Sequence, residues 1–192
     1  MLSFKFAKNT SGMKKLLLGL VALSVMSCNF HDKRKNDAAE ALSKANQSLT
    51  SNHPDSSSVK QASVAVESFV RRFPEDSLSP SFLFELALVY EKQRQYDSTI
   101  KTLERIYSYY PHSRQSSKAL FLEGFLYANV LQQLDKAKEK YELYLKEYSA
   151  LDAKMTNDVQ MELQNLGKSP EEILNEIQEN AKKDSLQKHP PS

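Results

Sequence analysis

The chain has 192 residues, 40% hydrophobic and 26% charged, with one cysteine, no tryptophan, four glycines and seven prolines. That length suits one domain with its own core, while the composition excludes an internal disulfide or thiolate zinc site and disfavours glycine-rich phosphate loops and turn-rich β architecture. The net charge of +2 sits at the start: residues 1–27 hold Lys5, Lys8, Lys14 and Lys15 and no acid, which leaves 22 basic and 24 acidic residues in the body, net −2, and no electrostatic footprint for nucleic acid.

Lys14 and Lys15 precede an apolar run, Leu16 to Met26, followed by Val25-Met26-Ser27-Cys28. A basic start, a short apolar stretch and a small residue before the cut describe a signal peptide over 1–27, with Met13 an alternative start. The run is too short for the ~20 apolar residues of a membrane span. With Cys28 directly after Ser27, the segment resembles the lipobox of bacterial lipoproteins, which implies acylation of Cys28 and a lasting membrane anchor. The alternative is an ordinary secretory signal with an incidental cysteine. Asn29, rather than Asp, follows the cysteine, and the resemblance then implies transfer to the outer membrane, on its periplasmic face. Residues 28–36, with Lys33-Arg34-Lys35, read as a polar tether, its charges solvated or at anionic head groups.

From Ala38 to Asn180 apolar residues recur at helical spacing, without strand alternation or hairpin dipeptides. The first helix is expected over Asp37–Leu49, and a second carries Ala62, Val66 and Phe69 and stops at Pro74. Ser79-Pro80 opens the next, with Ser79 as N-cap. Leu83, Phe84, Ala87 and Tyr90 return as Leu120, Phe121, Gly124 and Tyr127, and Pro74 returns as Pro111, each 37 residues on. A fixed period of this size predicts a solenoid of helix pairs. Beyond Ser149, a helix is expected over Ala153–Leu166, ended by Gly167. Another begins at Ser169-Pro170-Glu171-Glu172 with a capping box, and its Ile173, Leu174 and Ile177 are expected to cover the open end of the stack.

These positions resemble the tetratricopeptide repeat. Leu83, Ala87, Tyr90, Tyr96, Leu103, Ile106 and Pro111 fill its pattern once, and Leu120, Gly124, Tyr127, Ala137, Tyr141 and Tyr144 fill it again. Three departures stand: Thr99 replaces the usual alanine, Ser149 replaces the third proline, and the period exceeds the usual spacing. The resemblance implies an all-α fold, a right-handed superhelix of antiparallel helix pairs. About three repeats occupy 37–149, with C-terminal capping helices over 150–181 and a disordered tail over 182–192. With the lipoprotein signal, the chain is similar to the outer-membrane assembly lipoproteins of the BamD type and the repeat proteins of the Tol-Pal system. That likeness implies a periplasmic interaction scaffold with an envelope protein or peptide as partner, or else a permanent structural subunit of an envelope complex.

In repeats of this type the first helix of each pair lines the concave side. The resemblance thereby assigns a partner groove to Phe84, Leu88 and Glu91, and to Lys118, Phe121, Phe125 and Asn129, unless those groups simply pack against neighbouring helices. Glu123 interrupts the apolar stretch Leu120–Tyr127, so it should face the groove, find a donor, or lie on a helix less buried than its pattern suggests. His31, His53, His112 and His189 fall in the expected tether, loops and tail, none beside a nucleophile. No catalytic residue, metal ligand or cofactor is expected, and the chain reads as a non-enzyme.

Overall fold

The computed structural model describes the backbone of residues 10–50 and 56–188 and the side chains of residues 30–50 and 56–183. Among the described residues there are eight helices and no strand: α1 (Thr10–Thr50), α2 (Ser56–Arg72), α3 (Ser79–Lys92), α4 (Tyr96–Tyr109), α5 (Arg114–Asn129), α6 (Leu134–Tyr148), α7 (Ala153–Gln164) and α8 (Pro170–Lys188). The fold class is therefore all-α, as the periodicity requires. Among those residues no helix is long and apolar enough to cross a membrane. The chain forms two compact units, Met1–Arg94 and Gln95–Ser192.

In the N-terminal unit, α1 and α2 run antiparallel. His31 meets Asp76 just past the end of α2, and Arg34 meets Ser68 within it. Helix α3 reverses again, with Phe82 edge-on to Phe69 at 5.0 Å between centroids and the Tyr90 hydroxyl donating to Ser63 Oγ at 2.8 Å. Ala38, Leu42, Ala45, Val59, Ala62, Val66, Phe69, Leu83, Leu86 and Ala87 are buried in the core between the three helices. Small residues at 38, 45, 62 and 87 let the axes approach, and the larger ones fill the seams.

The expected tether is corrected. Residues 28–36 belong to α1, and within them His31, Arg34 and Lys35 are half-buried while Phe30, Asp32, Lys33 and Asn36 are exposed. His31 is wedged against Phe69 and Phe73, with centroids at 5.6 and 4.7 Å, and its Nε2 lies 2.7 Å from Asp76 Oδ2. It is no solvated loop histidine. The spacing of Phe30, Arg34, Ala38, Leu42 and Ala45 continues one helix face backward past Asp37, so there is no boundary at that residue. Ser79 is not an N-cap either. It is fully buried in the first turn, and its hydroxyl donates to the Phe73 carbonyl at 2.7 Å, while Asp76 Oδ1 accepts from the Leu78 amide at 2.8 Å.

In the C-terminal unit α4, α5 and α6 alternate in direction and α7 follows α6. Gly124 sits under the Tyr141 ring so closely that a Cβ there would lie 2.5 Å from Tyr141 Cε1. This crossing requires glycine for proximity, since no side chain fits between the helix and the ring. Ser116, fully buried, donates to the Tyr110 carbonyl at 2.5 Å, and the Tyr148 hydroxyl donates to the Pro111 carbonyl at 2.8 Å. Thr99 is accommodated because its Oγ1 bonds back to the Gln95 carbonyl at 3.1 Å, so the buried hydroxyl is satisfied within its own helix.

At the C-terminal end the expected capping box is present: Ser169 N–H donates to Glu172 Oε2 at 2.7 Å, and Glu172 N–H to Ser169 Oγ at 3.2 Å. Gly167 turns the chain at φ +81°, a left-handed conformation that favours glycine. The expected cover is corrected. Leu174 and Ile177 are 54% and 60% exposed, and α8 continues as helix to Lys188, where a disordered tail was expected from residue 182.

Candidate partner-binding surface

Helix α3 separates its residues into two faces. Leu83, Leu86, Ala87 and Val89 are buried, while Phe84, Leu88 and Glu91 are half-buried on the other side. Their i, i+4, i+7 spacing places all three on one stripe. Lys92, at the helix end, donates to Asn46 Oδ1 at 3.1 Å, which ties the end of α3 to α1. The stripe thus runs along a helix fixed at both ends.

Helix α5 carries the equivalent stripe in the C-terminal unit. Lys118 is exposed, Phe121 is half-buried, and Phe125 is 40% exposed. Phe121 spends part of its surface on its own helix pair, with its ring 6.4 Å from that of Tyr141. Phe125 has the freer aromatic face. Asn129 is exposed, but its amide nitrogen donates to the Phe125 carbonyl at 3.2 Å, so the side chain folds back on its helix.

Asn129 also lines a cleft of about 430 Å³ that the sequence reading did not anticipate. Its walls are the end of α5, Leu134 at the start of α6, Met161 and Glu162 on α7, and Lys168 and Ile173 beyond Gly167. The cleft exists because the α5–α6 turn reverses through Gln132 at φ 54° and the α7–α8 turn through Gly167. Lys168 donates to Glu176 Oε2 at 2.7 Å across that last turn. The signal for it in the sequence was Gly167, which marked the turn but not what the turn faced.

Glu123 has an ion-pair partner, but no hydrogen-bond donor reaches either of its buried carboxylate oxygens. The residue is fully buried, and the Lys140 ammonium lies 3.4 Å from Glu123 Oε1. Lys140 also donates to the Tyr107 hydroxyl at 3.2 Å and lies 5.6 Å from that ring's centroid. Burial pushes the Glu123 carboxyl up to about 7; the Lys140 ammonium pulls it down and the Glu104 carboxylate adds to the rise. Lys140 itself is held above the ordinary lysine range: its own burial favours the neutral amine, but the Glu123 carboxylate outweighs it. The trio joins α4, α5 and α6 inside the unit, away from the exposed stripe.

The structure therefore groups Phe84, Leu88 and Glu91 on α3 and Lys118, Phe121, Phe125 and Asn129 on α5. The side chain of Cys28 lies outside the described residues, as do His53 and His189; His112 is exposed. Among the described residues no three His, Cys, Asp or Glu side chains converge as metal ligands would.

Antiparallel helix pairs with small residues at the crossings, aromatics in the seams and a proline after the second helix define the class of helical-repeat proteins. Residues 82–113 and 118–150 match the tetratricopeptide repeat family model, so over those stretches the chain is similar to tetratricopeptide repeats. No curated protein and no solved structure matches the chain.

Proposed function

We propose that this chain is a lipid-anchored periplasmic scaffold that binds an envelope protein or peptide through the first helices of its repeats and serves assembly of the outer membrane. The observation that carries this reading is the pair of stripes on α3 and α5, where Phe84 and Leu88 are half-buried and Phe125 is 40% exposed on helices whose opposite faces are packed. Apolar groups left open on a rigid repeat mark an interaction surface suited to an extended peptide or amphipathic helix. The lysines, apolar run and Ser27-Cys28 of the N-terminus supply the export and anchoring part.

The test compares the full chain with Cys28→Ala and with Phe84→Ala/Phe121→Ala, using palmitate-analogue labelling, envelope cross-linking and thermal melting. Label should disappear in Cys28→Ala. The double variant should lose its cross-linked partner with little change in melting, since a truncated interface aromatic costs about 2 kcal/mol or more of binding. Label retained without Cys28 overturns the anchor, and a collapsed melting curve with no partner captured overturns the groove.

A second reading, a permanent subunit of an envelope complex, is favoured by another observation. Leu151, Met161, Leu174 and Ile177 are 65%, 60%, 54% and 60% exposed, an apolar population that suits obligate docking of the C-terminal helices.

A further inference from the structure

The N-terminal unit carries a basic face that the scaffold reading does not use. Phe30, on α1, is 40% exposed, and two guanidinium groups lie against its ring, Arg34 at 5.1 Å and Arg72 at 5.9 Å from the centroid. Arg71 joins them around a depression of about 210 Å³. Through Arg34, Ser68 and Arg71 this depression runs into a larger groove of about 520 Å³ between α1 and α2, lined also by Asp37, Lys60 and Val64. The lining holds four cations, Arg34, Lys60, Arg71 and Arg72, and one acid, Asp37. The neighbouring Asp32 is engaged with Lys35 at 3.7 Å and His31 at 3.6 Å. The charge is therefore strongly one-sided.

We propose that this α1–α2 face lies on the anionic phospholipid surface of the membrane that holds the chain, with phosphates against Arg34, Arg71 and Arg72 and Phe30 at the acyl boundary. The proposal rests on the anchoring reading for where the face is held. Cys28 precedes Phe30 by two residues of the same helix, about 3 Å of rise, so an anchor at Cys28 brings Phe30 to the headgroup level. An exposed aromatic ringed by guanidinium groups is amphipathic in the way an interfacial position demands. Planar guanidinium groups pair with phosphate through paired N–H donors, which Lys33 and Lys35 would not reproduce. The Arg34 guanidinium is already oriented, donating to Ser68 Oγ at 3.0 Å. Charge complementarity thus selects a phosphate-bearing surface, and proximity to residue 28 selects the membrane as its source.

The chain has no tryptophan, so a single indole reports the orientation. Val64→Trp places it on α2 at a site 63% exposed, beside the groove and far along the helix from the anchor. The full chain is reconstituted in nanodiscs of phosphatidylcholine containing brominated lipid, with or without phosphatidylglycerol. Quenching of the indole should rise about twofold with phosphatidylglycerol and fall back in high salt. It should be lost in Arg34→Gln/Arg71→Gln/Arg72→Gln and retained only in part in the corresponding triple lysine variant, whose ammonium groups lack the planar fork. Far-ultraviolet circular dichroism confirms that each variant is folded. Quenching independent of phosphatidylglycerol, or unaffected by the glutamine variant, overturns the proposal and leaves the face to an acidic protein. Intact mass reads acylation separately: a chain without acyl groups refutes the lipid anchor, and its co-sedimentation with phosphatidylglycerol vesicles, lost in the glutamine variant, then tests the face by itself.

Discussion

Burial of Glu123 beside Lys140 makes the stability of the C-terminal unit depend on pH. The carboxyl titrates near 7 in the folded chain against an ordinary value of 4.5. Between those values the folded state holds the proton more tightly than the unfolded state, so stability must fall as pH rises through the window. Lys140 is shifted upward from 10.5 and stays charged in both states there, so it adds nothing to that slope. Replacing Glu123 by Gln keeps the shape and removes the titration. Urea unfolding at about pH 5 and about pH 8 should show the parent losing up to about 3 kcal/mol across the interval, and Glu123→Gln losing little. Equal slopes in the two proteins would mean that the carboxylate is compensated by Lys140 and Tyr107 at every pH. The position was recognisable in the sequence as an acid inside an apolar run. Its partner was not, because Lys140 is 17 residues on and belongs to another helix.

At the scale of elements, a hydrogen bond repeats with the helices. Ser79 donates to the Phe73 carbonyl and, 37 residues later, Ser116 donates to the Tyr110 carbonyl. In each case a buried hydroxyl in the first turn of a helix adds a second donor to the carbonyl just ahead of a proline, which also accepts the Asp76 or Ser113 amide. Ser79→Ala and Ser116→Ala should each lower stability by about 1 kcal/mol, because a buried hydrogen bond is lost while each carbonyl keeps its backbone donor, the Asp76 or Ser113 amide. For a chain of this size that is several degrees of melting temperature. A change under a few tenths of a kcal/mol at both sites would reduce the serines to space-filling. The helices themselves were legible from spacing, prolines and the Ser169–Glu172 capping box, since these are local signals. The serine clamp was not, as Ser-Pro reads locally as a cap and burial at that site depends on how α3 docks. Likewise Lys33-Arg34-Lys35 reads as a solvated run, although the arginine's stem and guanidinium lie over Phe30. A charge signals exposure only at its tip.

For the molecule as a whole, the question is where the packed fold ends. A solenoid must close its last apolar face with a polar-backed helix, and the pattern of Ile173, Leu174 and Ile177 pointed to α8 for that role. The structure instead buries Val159 of α7 completely, and the Tyr141 hydroxyl reaches Glu162 Oε2 at 3.5 Å, while Leu174 and Ile177 of α8 remain exposed. Helix α7 therefore completes the core, and among the described side chains of α8 one, Ile173, is half-buried, at the cleft. The Lys168–Glu176 pair across the turn is at the surface, where such pairs contribute about 0–1 kcal/mol. Deleting residues 169–192 should then shift the melting temperature by no more than about 2 °C. Val159→Ala, by contrast, removes buried methyl groups from a closed site and should cost about 1–2 kcal/mol. The opposite ranking, a large loss on deletion and none at Val159, would show that α8 closes the stack in solution. With the expected ranking, the exposed leucine and isoleucine of α8 are free to meet another protein, and the same deletion assayed by envelope cross-linking distinguishes a scaffold engaged through α3 and α5, whose partner survives it, from a subunit docked through its C-terminal helix, whose partner does not.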